Sequence, residues 1–99
     1  MAIVEMTVVP LGTGDTSVSK YVAACHRVLK EEKNIKYQLT PMSTVLEGDL
    51  DHLLEIAKKL HNVPFQEGQM RVMTSMKIDD RRDKISTIKG KIAAVEEKI

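Results

Sequence analysis

Ninety-nine residues make one domain, and a single chain of this size buries only a modest fraction of its surface. Fifteen basic and fourteen acidic residues give a formal net charge of +1, without the basic field that broad nucleic-acid or membrane-surface binding requires. The hydrophobic share of 42% is ordinary for a globular chain, and no apolar run reaches membrane-spanning length.

The opening stretch MAIVEMT lacks the basic and long apolar regions of a signal peptide, so a cytoplasmic protein is expected. The single cysteine, Cys25, allows no internal disulfide. Only Tyr21, Tyr37 and Phe65 are aromatic, so one chain offers little for a stacking platform or an aromatic cage.

Ala2–Thr16 (AIVEMTVVPLGTGDT) reads as a strand leading into a glycine-bearing turn and a helix. Val4, Met6 and Val8 alternate with Glu5 and Thr7, the period of two that marks a strand with Val4, Met6 and Val8 on the core side. Pro10 cannot donate to a ladder, so pairing should stop near it, and Gly12 and Gly14 free the backbone to turn. Ser17–Lys33 follows as a helix whose apolar face is Val18, Val22, Cys25, Val28 and Leu29. Asp15, Thr16 and Ser17 all offer a capping oxygen, and Asn34 suits the left-handed residue that ends the helix.

Ile35–Met42 and Ser43–Glu47 are the second and third strands, a hairpin turning at Pro41 and Ser43. Gly48 and Asp49 stop the third strand and start a helix over Leu50–Asn62, with Pro64 ending it at or before Val63. A fourth strand is expected over Gln69–Ile78, then a charged break over Asp79–Asp83, then a last helix over Lys84–Ile99. In that tail Ile85, Ile88, Ile92, Val95 and Ile99 recur at steps of 3, 4, 3 and 4, an apolar seam that its own sheet or another subunit must cover.

The order βαββαβ predicts an α+β, ferredoxin-like domain spanning residues 1–99, with an extra C-terminal helix. Right-handed crossovers give an antiparallel sheet in order 4-1-3-2, with two helices on one face. The open face should then carry Glu5, Thr7, Gln38, Thr40, Arg71, Met73, Ser75 and Lys77, while the faces of the third strand stay ambiguous. One end of the sheet gathers the Pro10–Ser17 turn, the Thr40–Thr44 hairpin and Arg71; the other gathers Tyr37, Glu47, Asp49 and Lys77.

The GTGDTS turn has two roles open to it: an ordinary capped helix start, or an anion site with Arg71 nearby. It is not a phosphate-binding loop of the GK[ST] kind. His26, His52 and His61 lack ligand spacing, so no metal site is expected, and Cys25 belongs to the core. Glu5 is expected to pair with Lys77 or Ser75 on the adjacent strand, or else to accept an amino group or a cation.

MTVVPLGTGDTSVSKYVA and YQLTPMSTVLEGDLDHLLEIAKKLH together resemble the small thiamine-binding (YkoF-like) family over about the first eighty residues. The turn beginning PLG and the YxLxPMxTxxEG hairpin are the most specific pieces. The resemblance implies single or duplicated ferredoxin-like domains that associate through their sheets into homodimers and homotetramers. It also implies a non-enzymatic binder, without a cofactor, of thiamine or its hydroxymethylpyrimidine portion. The matching positions are Thr7, Gly12, Ser17, Thr40, Thr44 and Glu47. On chemistry, Thr40 and Thr44 suit an aminopyrimidine, Glu47 or Glu5 a cation, and Arg71 with the glycine turn a phosphate. The alternative reading is a regulatory or interaction protein whose oligomer interface is functional, with an anion or other small effector bound there.

Overall fold

The computed structural model describes all 99 residues. The elements are β1 (Ala2–Pro10), α1 (Ser19–Glu31), β2 (Lys36–Leu39), β3 (Thr44–Gly48), α2 (Leu50–Gln66), β4 (Val72–Asp80) and α3 (Ile88–Glu96). The four strands form one sheet in the order β2-β3-β1-β4, and every neighbouring pair is antiparallel. This is the expected ferredoxin-like arrangement with a C-terminal helix.

Register decides the faces. Val4 stands opposite Leu46 and Ile78, and Met6 opposite Thr44 and Met76, so these residues share the helix-covered side. Val45 and Glu47 of β3 therefore face the open side with Ile3 and Glu5. The core is Val4, Met6 and Leu46 from the sheet with Leu29 of α1 and Leu53, Ile56 and Leu60 of α2, all shielded from water. Each such side chain is worth about 1.5–3 kcal/mol of hydrophobic stabilisation.

Several boundaries differ from those read in the sequence. The first helix begins at Ser19, with Val18 at its N-cap and no side-chain cap. The oxygens expected to cap it are used inside the turn: Asp15 Oδ1 accepts from Ser17 N–H (2.9 Å), and Thr13 Oγ1 accepts from Asp15 N–H (3.2 Å). Gly12 and Gly14 take positive φ there (78° and 76°), as Asn34 does (62°) at the end of the helix. The second strand is shorter than expected because Thr40–Ser43 closes a tight turn: Thr40 Oγ1 accepts from Ser43 N–H (2.9 Å) and Met42 N–H (3.3 Å).

Pro64 does not end α2, which runs on to Gln66. Val63 and Pro64 are both buried, so packing holds the last turn on the sheet against the local penalty of proline. Proline removes the N–H that Leu60 C=O would accept in an unbroken helix. The Cys25 thiol of α1 takes its place, with Sγ 3.8 Å from Leu60 O.

The expected charged break at Asp79 and Asp80 is strand: they pair with Ile3 and Ala2. Charges on an outer strand blunt it against edge-to-edge association. The tail helix is shorter than expected, because Lys84–Ser86 stays outside it and Thr87, in extended conformation, caps the helix, accepting from Gly90 N–H at 2.9 Å. Within the chain its apolar seam is half-buried only at Ile88; Ile85, Ile92, Val95 and Ile99 stay exposed.

Candidate functional site

Two ends of the sheet are built differently, and the difference begins with strand length. β1 pairs with β4 as far as Pro10, but its last partner on β3 is Thr44, opposite Met6. Beyond that point the Thr40–Ser43 turn curls away from β1, and the first turns of α1 pass over the gap. The space left is a cavity of about 610 Å³ between α1, β1 and the turn, within the usual range for small-molecule sites.

Its wall combines Met6–Val9 of β1, Val18, Val22 and His26 of α1 and the Leu39–Thr44 hairpin. Hydroxyls of Thr7, Ser17, Ser19, Thr40, Ser43 and Thr44 and the His26 imidazole interrupt an apolar lining, and no Asp, Glu, Lys or Arg contributes to it. His26 Nε2 lies 3.1 Å from Thr44 Oγ1 and its ring meets Tyr37 edge-on, centroids 5.7 Å apart. Burial lowers the His26 pKa from its ordinary 6.5, so the imidazole is neutral at pH 7. Burial pushes the Cys25 thiol, at the cavity floor, up to about 11, so it stays protonated.

Of the residues singled out in the sequence, Thr7, Ser17, Thr40 and Thr44 meet at this cavity. Thr40 spends its hydroxyl on the turn, also lying 3.1 Å from Ser43 Oγ. Gly12 sits in the exposed turn, and Arg71 lies exposed ahead of β4, its C=O accepting from Leu11 N–H (2.9 Å); neither forms part of the wall. In the turn itself, the Asp15 carboxylate already occupies the Ser17 N–H that an anion would use.

Glu47 lies at the opposite end, on the open face. It is almost fully buried, and its Oε1 accepts from Ile88 N–H at 2.6 Å, tying α3 to the sheet. Lys91 Nζ meets Asp79 Oδ2 at 2.7 Å beside it. A second hollow of about 560 Å³ opens there between β2 and α3, lined by Lys36, Tyr37, Gln38, Glu47, Ile88 and Ile92 among others. Glu5 stands between the two ends: Oε2 accepts from Ser43 Oγ (3.1 Å), and Lys77 Nζ lies 3.8 Å from Oε1. The expected Glu5–Lys77 pair is present, with Ser43 in place of Ser75 as the hydroxyl partner.

Sequence reasoning missed His26 as a cavity residue, weighing it only as a metal ligand. The signal was available: His26 falls four residues after Val22 on the same helix face. No three His, Cys, Asp or Glu side chains converge anywhere in the chain, and no helix is long and apolar enough to cross a membrane.

The fold and the cavity define a small ferredoxin-like domain with a preformed, uncharged, ligand-sized site between its first helix and its sheet. A family model described as thiamine-binding protein matches residues 4–96, and the chain belongs to that family. A UPF0045 protein from the glkA 3' region of Staphylococcus xylosus is 50% identical over 97% of this chain and 92% of its own. The UPF0045 protein YqgV of Bacillus subtilis is 48% identical over 96% of this chain and 94% of its own. The crystal structure of hypothetical protein MJ1052 from Methanocaldococcus jannaschii superposes with a TM-score of 0.85 at 42% identity, covering 97% of this chain and 96% of that one.

Proposed function

We propose that this protein is a non-enzymatic binder of a thiamine-related small molecule, held in the cavity between α1, β1 and the Thr40–Ser43 turn. The observation that carries the reading is the cavity itself: about 610 Å³ of apolar wall with a few hydroxyls and a neutral imidazole. Membership of the thiamine-binding protein family supports the ligand class. Binding without chemistry is supported by two features. The thiol at the cavity floor is protonated, and no carboxylate is hydrogen-bonded to His26 to hold it as a general base beside Thr44.

The test is calorimetry and thermal shift with thiamine, thiamine monophosphate and 4-amino-5-hydroxymethyl-2-methylpyrimidine. At least one should bind, and Val22→Phe, which fills the cavity from α1, should abolish its heat. If none of the three raises the melting temperature at millimolar concentration, the reading fails.

Self-association belongs to the same proposal. Val9 and Met73 stand opposite each other, exposed, on the open face beside the Glu5–Lys77 pair, and α3 leaves Ile92 and Val95 uncovered. A homodimer or homotetramer in the cytoplasm would bury them; sedimentation showing a monomer at micromolar concentration would exclude it.

A further inference from the structure

The early end of the β1–β3 ladder has a consequence for what the cavity can recognise. In an antiparallel strand the N–H and C=O of one residue point to the same side, and successive residues alternate sides. Leu11 N–H bonds Arg71 C=O, and the β1–β4 register runs without a break from Ala2 to Pro10. The odd-numbered residues of β1 therefore bond β4, and the even-numbered ones point toward β3. Ala2, Val4 and Met6 find Gly48, Leu46 and Thr44 there. Val8 comes next, and the ladder has already stopped. The residue after it on that side is Pro10, which has no N–H. One backbone donor, Val8 N–H, and the C=O of the same residue thus face the gap under α1, at a residue that lines the cavity.

We infer that the Val8 peptide edge is the specificity element of this site: it reads an uncharged planar ring that presents a donor and an acceptor side by side, as an aminopyrimidine does. This rests on the function proposed above and narrows it. The ring takes the place of the next β3 residue, accepting from Val8 N–H and donating to Val8 C=O. A ligand that pairs both this backbone donor and this acceptor leaves neither unpaired when it covers them, an advantage over an apolar one of equal size. A permanent positive charge or a phosphate gains no partner in this wall, because none of its side chains is acidic or basic apart from the neutral His26. Thiamine and its phosphate would therefore bind more weakly than the free pyrimidine alcohol.

The test is a titration of the uniformly ¹⁵N-labelled protein with 4-amino-5-hydroxymethyl-2-methylpyrimidine, followed residue by residue. At saturation the Val8 amide should move downfield and its hydrogen exchange should slow by about tenfold or more, while Thr7 and Val9, already bonded to β4, keep their rates. The analogue lacking the 4-amino group should bind at least about fivefold more weakly, the worth of one hydrogen bond. Perturbation of Val22, His26 and Thr44 with an unchanged Val8 amide, or equal affinity for the deaminated analogue, would overturn the inference and leave the cavity reading intact. Tighter binding of thiamine than of the pyrimidine would overturn the exclusion of charge. The absence of any perturbation in the cavity, with thiamine and its monophosphate equally silent, would remove the proposed function and the inference with it.

Discussion

Two histidines tie the two main helices to the sheet in the same manner, yet in unlike surroundings. His61 of α2 bonds Thr74 of β4 (2.6 Å) with Phe65 against its ring; His26 of α1 bonds Thr44 of β3 (3.1 Å) with Tyr37 against its ring. Under α2 the seam is closed by Leu53, Ile56 and Val63, all buried. Under the start of α1 the seam is left open, because Val18 and Val22 stand over a stretch of β1 that has no β3 neighbour. One helix holds the fold and the other holds a space. A His–Thr bridge belongs to the core in the first setting and to a binding wall in the second.

The largest contrast should appear in truncations on the two sides. Leu53→Ala, in the closed seam, should lower stability by about 2–5 kcal/mol in urea unfolding, the range for a buried leucine that leaves a hole. Val22→Ala enlarges a space already empty and should cost less than about 1 kcal/mol while weakening ligand binding. Equal losses in the two variants would mean that the α1 seam is packed in solution.

Glu47→Ala comes next. It removes the acceptor that fixes Ile88 N–H and should destabilise the protein by about 1.5–3 kcal/mol, the range for a charge-assisted hydrogen bond, and free α3 to proteolysis. Ligand affinity should hold, since Glu47 is remote from the cavity wall. Loss of affinity with the fold intact would place the ligand in the hollow beside α3. Ile92→Asp probes the same end. Ile92 is 44% exposed within one chain, so the substitution should leave a monomer nearly unchanged and lower the sedimenting mass of an assembly that buries the seam.

The smallest expected effect is on pH dependence. Burial depresses the folded-state pKa of His26 below the 6.5 of an unfolded chain. The unfolded state then binds the extra proton more readily, so His26 costs nothing above pH 6.5 and destabilises the fold as pH falls below it. His26→Gln should remove that part of the slope in melting temperature between pH 7.5 and 5.5. An unchanged slope would mean that the imidazole is solvated.

Much of this was legible along the chain because periodicity and turn chemistry are local. The alternation in Ala2–Pro10, the apolar face from Val22 to Leu29 and the signals at Asn34, Pro41 and Gly48 give βαββαβ, and right-handed crossovers then leave one sheet order. The family resemblance lay in the PLG turn and the hairpin; the hairpin lines the cavity, and of the matched positions Thr7, Ser17, Thr40 and Thr44 do converge there. The local signals misled where tertiary contacts outweighed them. Pro64 stays helical because Val63 and Pro64 are buried and the Cys25 thiol reaches the carbonyl that proline leaves free. Asp79 and Asp80 remain strand because Ile3 and Ala2 supply the other half of the ladder.

The sequence by itself determined the elements, the order of the sheet and which side of β1 enters the core, since each follows from spacing within a few residues of chain. Only the tertiary structure decided where the site lies. That β3 ends opposite Met6 while β1 runs on to Pro10 is a matter of register between strands some forty residues apart, and the cavity, the neutral His26 and the unpaired Val8 edge all follow from it. Glu47 shows the same point from the other end: a carboxylate that looked suited to a cation is committed to a backbone N–H forty-one residues away.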